Sequence, residues 1–274
     1  MQVKKVAINY SRPDKFLLYT LGDAHDGTKH FSRTELLRVV KQIKDNPFAR
    51  WVDMGDKCEF IAPSDPRWDG GAVAEWVHPD NVALDEANDY ISIVEPIKDK
   101  CLGMIEGNHE ITLKKHYHID VQDYICKALN VTNLGYSAFI RMNFQRCADK
   151  RRGDGAGRTE YSIVGFFTHG AGCAITKGAK VNRLERIMDS FAADIYAHGH
   201  VHDLITNSKS YLYLTEEGKI VQKVKVGAMT GCFFRTYSQD IPSSYGEQKN
   251  YPPTILGCPH FTIIPDKKFL SVSG

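Results

Sequence analysis

The sequence lacks a C-x-x-C pair and any regularly spaced set of cysteines. Its seven cysteines are odd in number and scattered over 274 residues. This argues against a disulfide framework and a zinc ribbon, and it favours a reducing compartment. The N-terminal segment has no long apolar core, and no apolar run approaches the length of a membrane span. We therefore expect a cytoplasmic protein without a membrane segment.

A large excess of charge of either sign is also missing. The net charge is +2, so any basic surface for nucleic acid would have to be local. Hydrophobic residues make up 42% and charged residues 25%, which is ordinary for a soluble globular protein. No internal repeat or long linker divides the chain. We expect a single domain over residues 1–274, with a β-rich C-terminal part and an irregular arm at about 237–259.

Five apolar runs end in side chains that can bind metal. The central run is LGMIEGNHE at 102–110, which is typical of a buried strand followed by a tight turn. The carboxyl edge of an α/β sheet is where ligands collect, so we expect the five ends to meet there. Asp23 and His25 are two residues apart, and on an extended chain they would point to the same side. The other four runs are LLYTLGDAHD (17–26), WVDMGDKCE (51–59), IVGFFTHG (163–170) and IYAHGHVHD (195–203).

The ligand-type side chains at these ends comprise two aspartates, four imidazoles and one amide. Such N/O ligands without thiolate suit Mn, Fe or Zn better than Ca. They are too many for one tetrahedral ion but suit two ions that share a carboxylate. Two ions roughly 3.5–4 Å apart hydrolyse phosphoesters in many enzymes. We predict two divalent ions, with Mn favoured and Fe or Zn as alternatives. The residues are Asp23, His25, Asp56, Asn108, His169, His200 and His202.

The order of these blocks resembles the calcineurin-like metallophosphoesterase superfamily. The blocks are D-x-H, G-D-x-x-E, G-N-H-E, T-H-G and G-H-x-H, and together they span residues 22–203. The resemblance implies an α/β fold, a four-layer α/β/β/α sandwich of two mixed β-sheets flanked by helices, with the site at one edge. The matching residues are Asp23 with His25, and the stretches 55–59, 107–110, 168–170 and 199–202.

The same resemblance implies a role for each matching residue. Asp56 would bridge the two ions, and a hydroxide shared by the ions would attack the phosphorus in line with the leaving group. His109 would not bind metal; it would protonate the leaving oxygen or stabilise charge on the phosphoryl group. The first ion would be held by Asp23, His25, Asp56 and His202, and the second by Asp56, Asn108, His169 and His200.

Other residues near these blocks are predicted to support the site. Glu59, Glu110 and His198 are expected behind the ligands rather than on the metal. His198 has ligand spacing from His200, but the family pattern uses the last two imidazoles. The basic residues after His169 are predicted to bind a phosphate or a strand backbone, and a solvated loop is an equal alternative. They are Lys177, Lys180 and Arg183.

The sequence leaves the substrate open. A nucleic-acid phosphodiester, in DNA or RNA, is favoured by basic stretches after two of the blocks and by an aromatic-rich tail. The alternative is a phosphomonoesterase for nucleotides or phosphoproteins, with a small closed pocket capped by residues 62–80. A long basic groove would distinguish the two. A non-catalytic metal-binding scaffold is disfavoured because no ligand position is missing. A homo-oligomer is possible, with the arm reaching a neighbour or forming a rim over the site.

Periodicity and turn residues predict the main elements. Ser32 and Glu35 form a capping-box pattern at the start of one helix. The predicted strands are 3–8, 16–21, 50–54, 136–144, 161–168 and 194–197, with further strands from 211 onward. The predicted helices follow Ser32 and cover 82–100 with a kink or end at Pro96, 119–129 and 182–191. Residues 149–160 are predicted to form a hairpin loop.

Overall fold

The computed structural model describes residues 1–147, 159–172 and 174–274, with the backbone alone at 159–160. Most of the hairpin loop expected at 149–160 therefore lies outside the described residues. The strands are β1 (Gln2–Tyr10), β2 (Phe16–Leu21), β3 (Ala49–Asp53), β4 (Cys101–Ile105), β5 (Asn133–Gly135), β6 (Ser137–Arg146), β7 (Thr159–Thr168), β8 (Ile195–His198), β9 (Leu204–Leu214), β10 (Ile220–Thr230), β11 (His260–Ile264) and β12 (Phe269–Ser273). The α-helices are α1 (Arg33–Asp45), α2 (Val82–Val94), α3 (Asn108–Tyr117), α4 (Val121–Leu129), α5 (Lys177–Ser190) and α6 (Tyr245–Gln248).

These strands form two mixed sheets of six strands each. The order of the first is β1-β6-β7-β8-β10-β9, and the order of the second is β12-β11-β2-β3-β4-β5. In the second sheet β2, β3, β4 and β5 run parallel, whereas β11 and β12 are antiparallel to their neighbours. In the first sheet β7 and β8 are parallel, as are β8 and β10. The predicted site blocks follow the carboxyl ends of five of these strands, β2, β3, β4, β7 and β8.

Three apolar clusters define four layers. One cluster lies between the two sheets and includes Phe167. A second joins the outer face of the second sheet to α1, α2 and α4, with Trp51 and Tyr90 at its centre. A third packs α5 against the outer face of the first sheet through Leu184 and Tyr196. The predicted α/β fold of two mixed sheets flanked by helices is therefore confirmed, whereas the single-domain organisation stays a prediction.

Several element boundaries differ from the sequence expectations. Helix α3, directly after Gly107, was not expected from the pattern. Helix α2 ends at Val94, and a 3₁₀ helix with Pro96 in its first turn continues to Lys100. Helix α5 starts at 177 because Thr176 caps it, accepting from the Ala179 amide. No described helix has the length and apolar character needed to cross a bilayer.

The predicted capping box at the start of α1 is wrong. Ser32 is the N-terminal flanking residue, but its side chain makes no cap hydrogen bond. Its hydroxyl instead accepts a hydrogen bond of 2.9 Å from Arg235 Nη2. A long-range partner has replaced the local one, which a sequence pattern does not reveal.

Candidate metal centre

The loops that carry the predicted ligands have an unusual backbone. Asp23, His25, Asp56, His200 and His202 all have φ between 49° and 70°. This left-handed region costs a residue other than glycine roughly 1–2 kcal/mol, and it persists only where the surroundings enforce it. The expectation that Asp23 and His25 share one side of an extended chain is therefore wrong. The two side chains converge through two left-handed turns.

Backbone hydrogen bonds between the loops after β2 and β3 enforce this geometry. The Asp23 amide donates to the Gly55 carbonyl at 2.9 Å, and the His25 amide donates to the Asp56 carbonyl at 3.2 Å. The Asp26 amide then donates to the Lys57 carbonyl at 3.0 Å. The two loops are thus joined residue by residue. A shift of one loop would break bonds in both, so the ligand positions are fixed relative to each other.

The first group of ligands joins both sheets. Asp23 and His25 follow β2, and His202 follows β8. The Nε2 atoms of His25 and His202 are 2.9 Å apart, and His202 Nε2 is 3.4 Å from Asp23 Oδ1. Glu59 Oε2 lies 2.9 Å from His25 Nδ1 and, as a carboxylate, accepts the ring proton there. Glu59 therefore orients the His25 ring, and its predicted role behind a metal ligand stays a prediction.

The second group is built around Asn108. Its Oδ1 is 3.0 Å from His169 Nε2 and 2.7 Å from His200 Nδ1. Asp56 Oδ2 is 3.2 Å from the same His169 nitrogen. Among the described residues, candidate ligand atoms within 4.8 Å of one another form three groups: Asp23, His25 and His202; Asp56, His169 and His200; and His25, Asp56 and His109.

The hydrogen bonds of His169 test whether this centre suits a cation. Its Nδ1 donates to the Met54 carbonyl at 2.8 Å, because a carbonyl can only accept. In the neutral ring Nε2 is then a bare lone pair, facing the amide oxygen of Asn108 and the carboxylate of Asp56. Three acceptors directed at one another repel unless a positive charge lies between them. The residues present therefore fit a divalent cation with N and O ligands.

Proton affinities in the cluster lead to the same conclusion. Burial disfavours the charged form of His25, but Glu59, Asp56 and Asp23 outweigh burial and raise its pKa to about 9. Burial likewise opposes protonation of His169, yet Asp56 raises its pKa to about 10. The same imidazoles overcome the effect of burial on Asp56 and hold its pKa well below the usual range. Without a metal, the cluster keeps protons where a metal would bind.

Glu110, the last residue of the central block, holds the Asp56 loop in place. Its carboxylate accepts from the backbone amides of Gly107, Asp56 and Lys57 at 2.8, 3.1 and 2.9 Å. The fully buried Lys57 ammonium lies 2.8 Å from Asp53 Oδ1 and 3.6 Å from Glu110 Oε1. Glu110 thus fixes the backbone of the Asp56 loop, and its predicted role behind the metal ligands stays a prediction. The same contacts also give Lys57 a role that the sequence did not indicate.

His109 lies beside the centre at the first turn of α3. Its amide donates to Asp56 Oδ1 at 3.0 Å, and its Nδ1 donates to the Glu59 carbonyl. The other ring nitrogen, Nε2, is left for the cavity, and the ring lies edge-on to His25 with centroids 4.8 Å apart. Its predicted role beside the metals, rather than on them, stays a prediction because it also belongs to one ligand group.

His198 is a buried residue packed behind the ligands. Its Nδ1 donates to the Gly199 carbonyl at 2.7 Å, and a Cβ at Gly170 would lie 2.1 Å from His198 Cε1. Burial lowers the pKa of the His198 ring to about 4. The neutral ring therefore fills the space beside Gly170, and the predicted supporting role of His198 stays a prediction.

A cavity of about 900 Å³ opens in front of the centre. One side is formed by the wall segment (residues 62–80), another by the arm (residues 237–259), and a third by residues of the loop before α5. Gly71 and Pro242 bring the wall segment and the arm together, since a Cβ at Gly71 would lie 3.1 Å from Pro242 Cγ. The arm therefore forms a rim over the site, one of the two roles considered for it.

The basic residues predicted to bind substrate are placed less favourably. Lys180 lines the cavity, but its amine is held by the Val201 carbonyl at 3.2 Å and Asp203 Oδ2 at 3.1 Å. Lys177 and Arg183 are not among the described residues that line the cavity. Phosphate binding by these three residues stays a prediction, and the geometry does not favour it.

Arg67, in the wall segment, is the other basic residue among the described lining residues. Its Nε and Nη2 atoms pair with Asp65 at 3.0 and 2.8 Å, which fixes the guanidinium plane and leaves Nη1 for a ligand. Hydrogen bonding to Asp65 raises its pKa despite partial burial, and Glu59 and Asp56 contribute by charge. The guanidinium therefore lies within electrostatic reach of the metal centre.

Four aromatic side chains that the sequence did not assign to the site also line the cavity. Their segments were recognised as irregular and near the site, but no periodicity singled out individual residues. A tryptophan in a stretch rich in Pro, Gly and Asp was the one available signal. The four residues are Trp68, Phe234, Tyr245 and Tyr251.

No family model matches the sequence, and no curated protein matches it. Solved structures do. A conserved Streptococcus pneumoniae protein described as a predicted phosphoesterase is 10% identical, with 91% of this chain and 82% of that chain covered and a TM-score of 0.33. The NAD nucleotidase of Haemophilus influenzae is 9% identical, with a TM-score of 0.44. The match covers 95% of this chain but only 49% of the nucleotidase, so this chain spans about half the length of that protein.

The calcineurin-like phosphoesterase YfkN of Bacillus subtilis is 12% identical, with 70% of this chain and 63% of that chain covered and a TM-score of 0.31. Identities this low concern the fold alone, so the activity of this chain is inferred from its own residues.

Proposed function

We propose that this chain is a phosphoesterase of the calcineurin-like superfamily that depends on two divalent metal ions. The observation that carries the proposal is the convergence of nitrogen and oxygen ligand atoms around His169 and around the pair His25 and His202. Two bound cations would supply Lewis acidity that lowers the pKa of a water to near neutrality and neutralises phosphoryl oxygens. Mn is the favoured metal, with Fe and Zn as alternatives, because the donors are nitrogen and oxygen.

The residues of the chain position the reaction around these ions. Asp56 lies between the two ligand groups and is held by the Glu110 hydrogen bonds to its loop. His109 donates its Nδ1 proton to the Glu59 carbonyl, so only a proton on Nε2 is available to a substrate. In that form it can donate to the leaving oxygen as the ester bond breaks. Arg67 can bind a non-bridging phosphoryl oxygen with the N–H groups of Nη1.

The cavity favours a small organic phosphoester, ahead of the nucleic-acid diester that the sequence favoured. Its volume of about 900 Å³ falls in the usual range for small-molecule pockets. A long basic groove across the site would have favoured the nucleic-acid diester over the small phosphoester. The described lining carries Arg67 and Lys180 as its basic side chains, and both are already paired with carboxylates. A polynucleotide backbone would need a row of free cations.

Turnover of a panel of phosphoesters by protein purified with Mn²⁺ tests this proposal. The substrates are p-nitrophenyl phosphate, bis(p-nitrophenyl) phosphate, a nucleoside monophosphate and fluorescent single- and double-stranded DNA. We expect hydrolysis of small esters that is lost in Asp56→Asn and abolished by chelation. Faster cleavage of DNA than of small esters would restore the nuclease alternative. Bound metal without any turnover would support the scaffold alternative and contradict the proposal.

A further inference from the structure

We infer that the outer part of the cavity is an aromatic subsite for the leaving group, so that the substrate is a phosphoester of an alcohol that carries a planar aromatic ring. This inference rests on the proposed phosphoesterase function and adds the class of substrate. It follows from three features of the cavity: the aromatic rings in its lining, the hydrogen bonds that already engage its charged side chains, and the backbone hydrogen bonds that position its walls.

The rings extend from the metal centre to the rim. Phe234 lies against His25 and His202, with ring centroids 5.3 and 5.8 Å away, so it covers the inner end of the cavity. Tyr245 and Tyr251 line the arm side, with their rings edge-on and 6.1 Å apart. Trp68 lines the wall side. A planar ligand that enters between the wall segment and the arm meets aromatic surface on both sides.

The carboxylates of the outer lining are already engaged. Asp69 Oδ1 accepts from the Gly71 amide at 2.9 Å, and Glu86 Oε2 accepts from the Phe60 amide at 2.6 Å. Arg67 is paired with Asp65 through Nε and Nη2. The outer cavity therefore offers mainly ring faces and carboxylates, which suit an uncharged aromatic group better than a second phosphate.

Both sides of the cavity are held by the loop that carries Asp23 and His25. On the wall side, the Lys29 amide donates to the Ala72 carbonyl and the Ala74 amide to the Gly27 carbonyl, each at 2.8 Å. Just before the arm, the Arg235 amide donates to the His30 carbonyl at 2.9 Å, and Phe234, which lines the cavity, forms a β-bridge with Phe31. The aromatic residues are thus placed at a fixed distance from the metal ligands. Such preorganisation is what a binding subsite requires.

The direction of the reaction places the leaving group in this part of the cavity. In an in-line displacement the leaving oxygen departs on the side opposite the nucleophile, next to its proton donor. The proposed donor, His109, is bonded to the Glu59 carbonyl, and the chain continues from Glu59 into the wall segment. The alcohol released beside His109 therefore enters the space lined by Trp68 and the arm.

A matched pair of substrates isolates the contribution of the ring. Adenosine 5′-monophosphate and ribose 5-phosphate both release a primary alcohol and differ in the aromatic base. We expect kcat/KM to favour the nucleotide by roughly 5- to 150-fold, the factor that corresponds to stacking of one base. Trp68→Leu should lower this ratio at least about fivefold. Trp76→Leu, on the same segment but outside the lining, is the control and should leave the ratio as in the wild type.

A binding measurement separates this inference from the proposed function. Ligand-observed NMR with adenosine, which has no phosphate, should detect binding to the wild type and to Trp76→Leu, and weaker binding to Trp68→Leu. Tyr251→Leu provides a second variant, and thermal melting shows whether each variant is folded. Equal kcat/KM for the two substrates, or equal loss in both tryptophan variants, would overturn the subsite. Adenosine binding without hydrolysis of any phosphoester would support the subsite and overturn the proposed function.

Discussion

The Nε2 atoms of His25 and His202 face each other at 2.9 Å, although one residue follows β2 of the second sheet and the other follows β8 of the first. Glu59 accepts a hydrogen bond from Nδ1 of His25, so Nε2 of His25 carries a lone pair in the neutral ring. Asp23 Oδ1 lies 3.4 Å from the His202 nitrogen. A contact of this kind between two sheets is stable when a shared cation lies among the acceptors.

Asp56→Asn should remove bound metal and activity. The change keeps the shape of the side chain and an acceptor for the His109 amide, but it removes the charge that faces both ligand groups. We expect metal affinity to fall more than about 100-fold, beyond the typical effect of changing an outer partner. Metal content after dialysis and turnover are the measurements. Asp189→Asn, at an exposed pair with Lys209, is the control. Full metal content in Asp56→Asn would contradict the assignment.

Metal affinity should increase with pH. The pKa values of about 9 for His25 and about 10 for His169 lie above the ordinary 6.5, so both rings hold protons in the metal-free protein at pH 7. Each displaced proton contributes up to about a tenfold rise in apparent affinity per pH unit, and the rise levels off above these pKa values. Competition with a fluorescent chelator from pH 6 to pH 10 measures this. An affinity independent of pH would show that metal binding displaces no protons.

The same two pKa values predict how the stability of the metal-free protein depends on pH. A pKa raised in the folded state means that the folded protein binds more protons than the unfolded chain between pH 6.5 and the raised value. The stabilisation is complete below pH 6.5 and is lost as the pH rises through about 9 to 10. Urea unfolding at pH 6 and pH 9.5 should show lower stability at the higher pH. Equal stability would contradict the raised values.

His109→Asn should separate metal binding from proton donation. We expect metal content to stay at the wild-type level, because the five sequence blocks and the contact to Glu59 place this ring beside the ions. Turnover of an alkyl phosphate should fall roughly 10²- to 10⁴-fold, the usual contribution of a general acid. p-Nitrophenyl phosphate, whose leaving group needs little protonation, should lose much less. Loss of metal from the variant would instead place His109 among the ligands.

Lys57→Met should destabilise the protein. Lys57, Asp53 and Glu110 are buried together, and removal of the cation leaves two carboxylates without a partner. Breaking a buried ion pair costs about 3–5 kcal/mol, or roughly 10 °C in Tm for a chain of this size. Thermal melting followed by circular dichroism measures the change. Lys41→Met, at an exposed pair with Asp45, should change the unfolding free energy by less than about 1 kcal/mol. A similar effect of both changes would contradict this explanation.

Arg67→Gln should weaken substrate binding more than it slows the chemical step. A charge-assisted hydrogen bond contributes about 1.5–3 kcal/mol, so KM should rise roughly 10- to 150-fold with a smaller change in kcat. Asp65→Asn removes the carboxylate that orients the guanidinium and should have an intermediate effect. Steady-state kinetics on p-nitrophenyl phosphate provide both parameters. A fall in kcat at constant KM would show that Arg67 acts in the transition state alone.

The sequence predicted the ligand clusters because each ligand follows a strand whose pattern is clear. Gly107, Asn108 and His109 illustrate this: a buried apolar strand leads directly into them, and parallel strands bring such ends to one edge. The layered fold was implied by the resemblance of the five blocks to the calcineurin-like superfamily. The left-handed turns at Asp23 and His25 could not be predicted, because they are imposed by hydrogen bonds to a loop some thirty residues away in sequence.

The sides of the cavity were harder to predict for a related reason. The wall segment and the arm have no periodicity, and their positions depend on distant backbone partners such as Gly27 and His30. Local patterns also do not reveal the partners of charged residues: phosphate binding by Lys180 stays a prediction, and its amine lies 3.1 Å from Asp203 Oδ2. Arg67 lies in a stretch that no motif marks. Long-range pairing decides these cases, and one sequence does not contain that information.

The short loop from Asp26 to Phe31 lies between the proposed metal site and the walls of the cavity, so it connects metal binding with ligand binding. It continues directly from His25, and its carbonyls and amides also hold the wall segment and the residues just before the arm. A cation that orders His25 and a ligand that orders the two sides thus act on the same hydrogen bonds. Binding of each changes the affinity for the other by the same factor, because linkage is reciprocal. A bound cation and a bound substrate would therefore influence each other through the backbone of this loop.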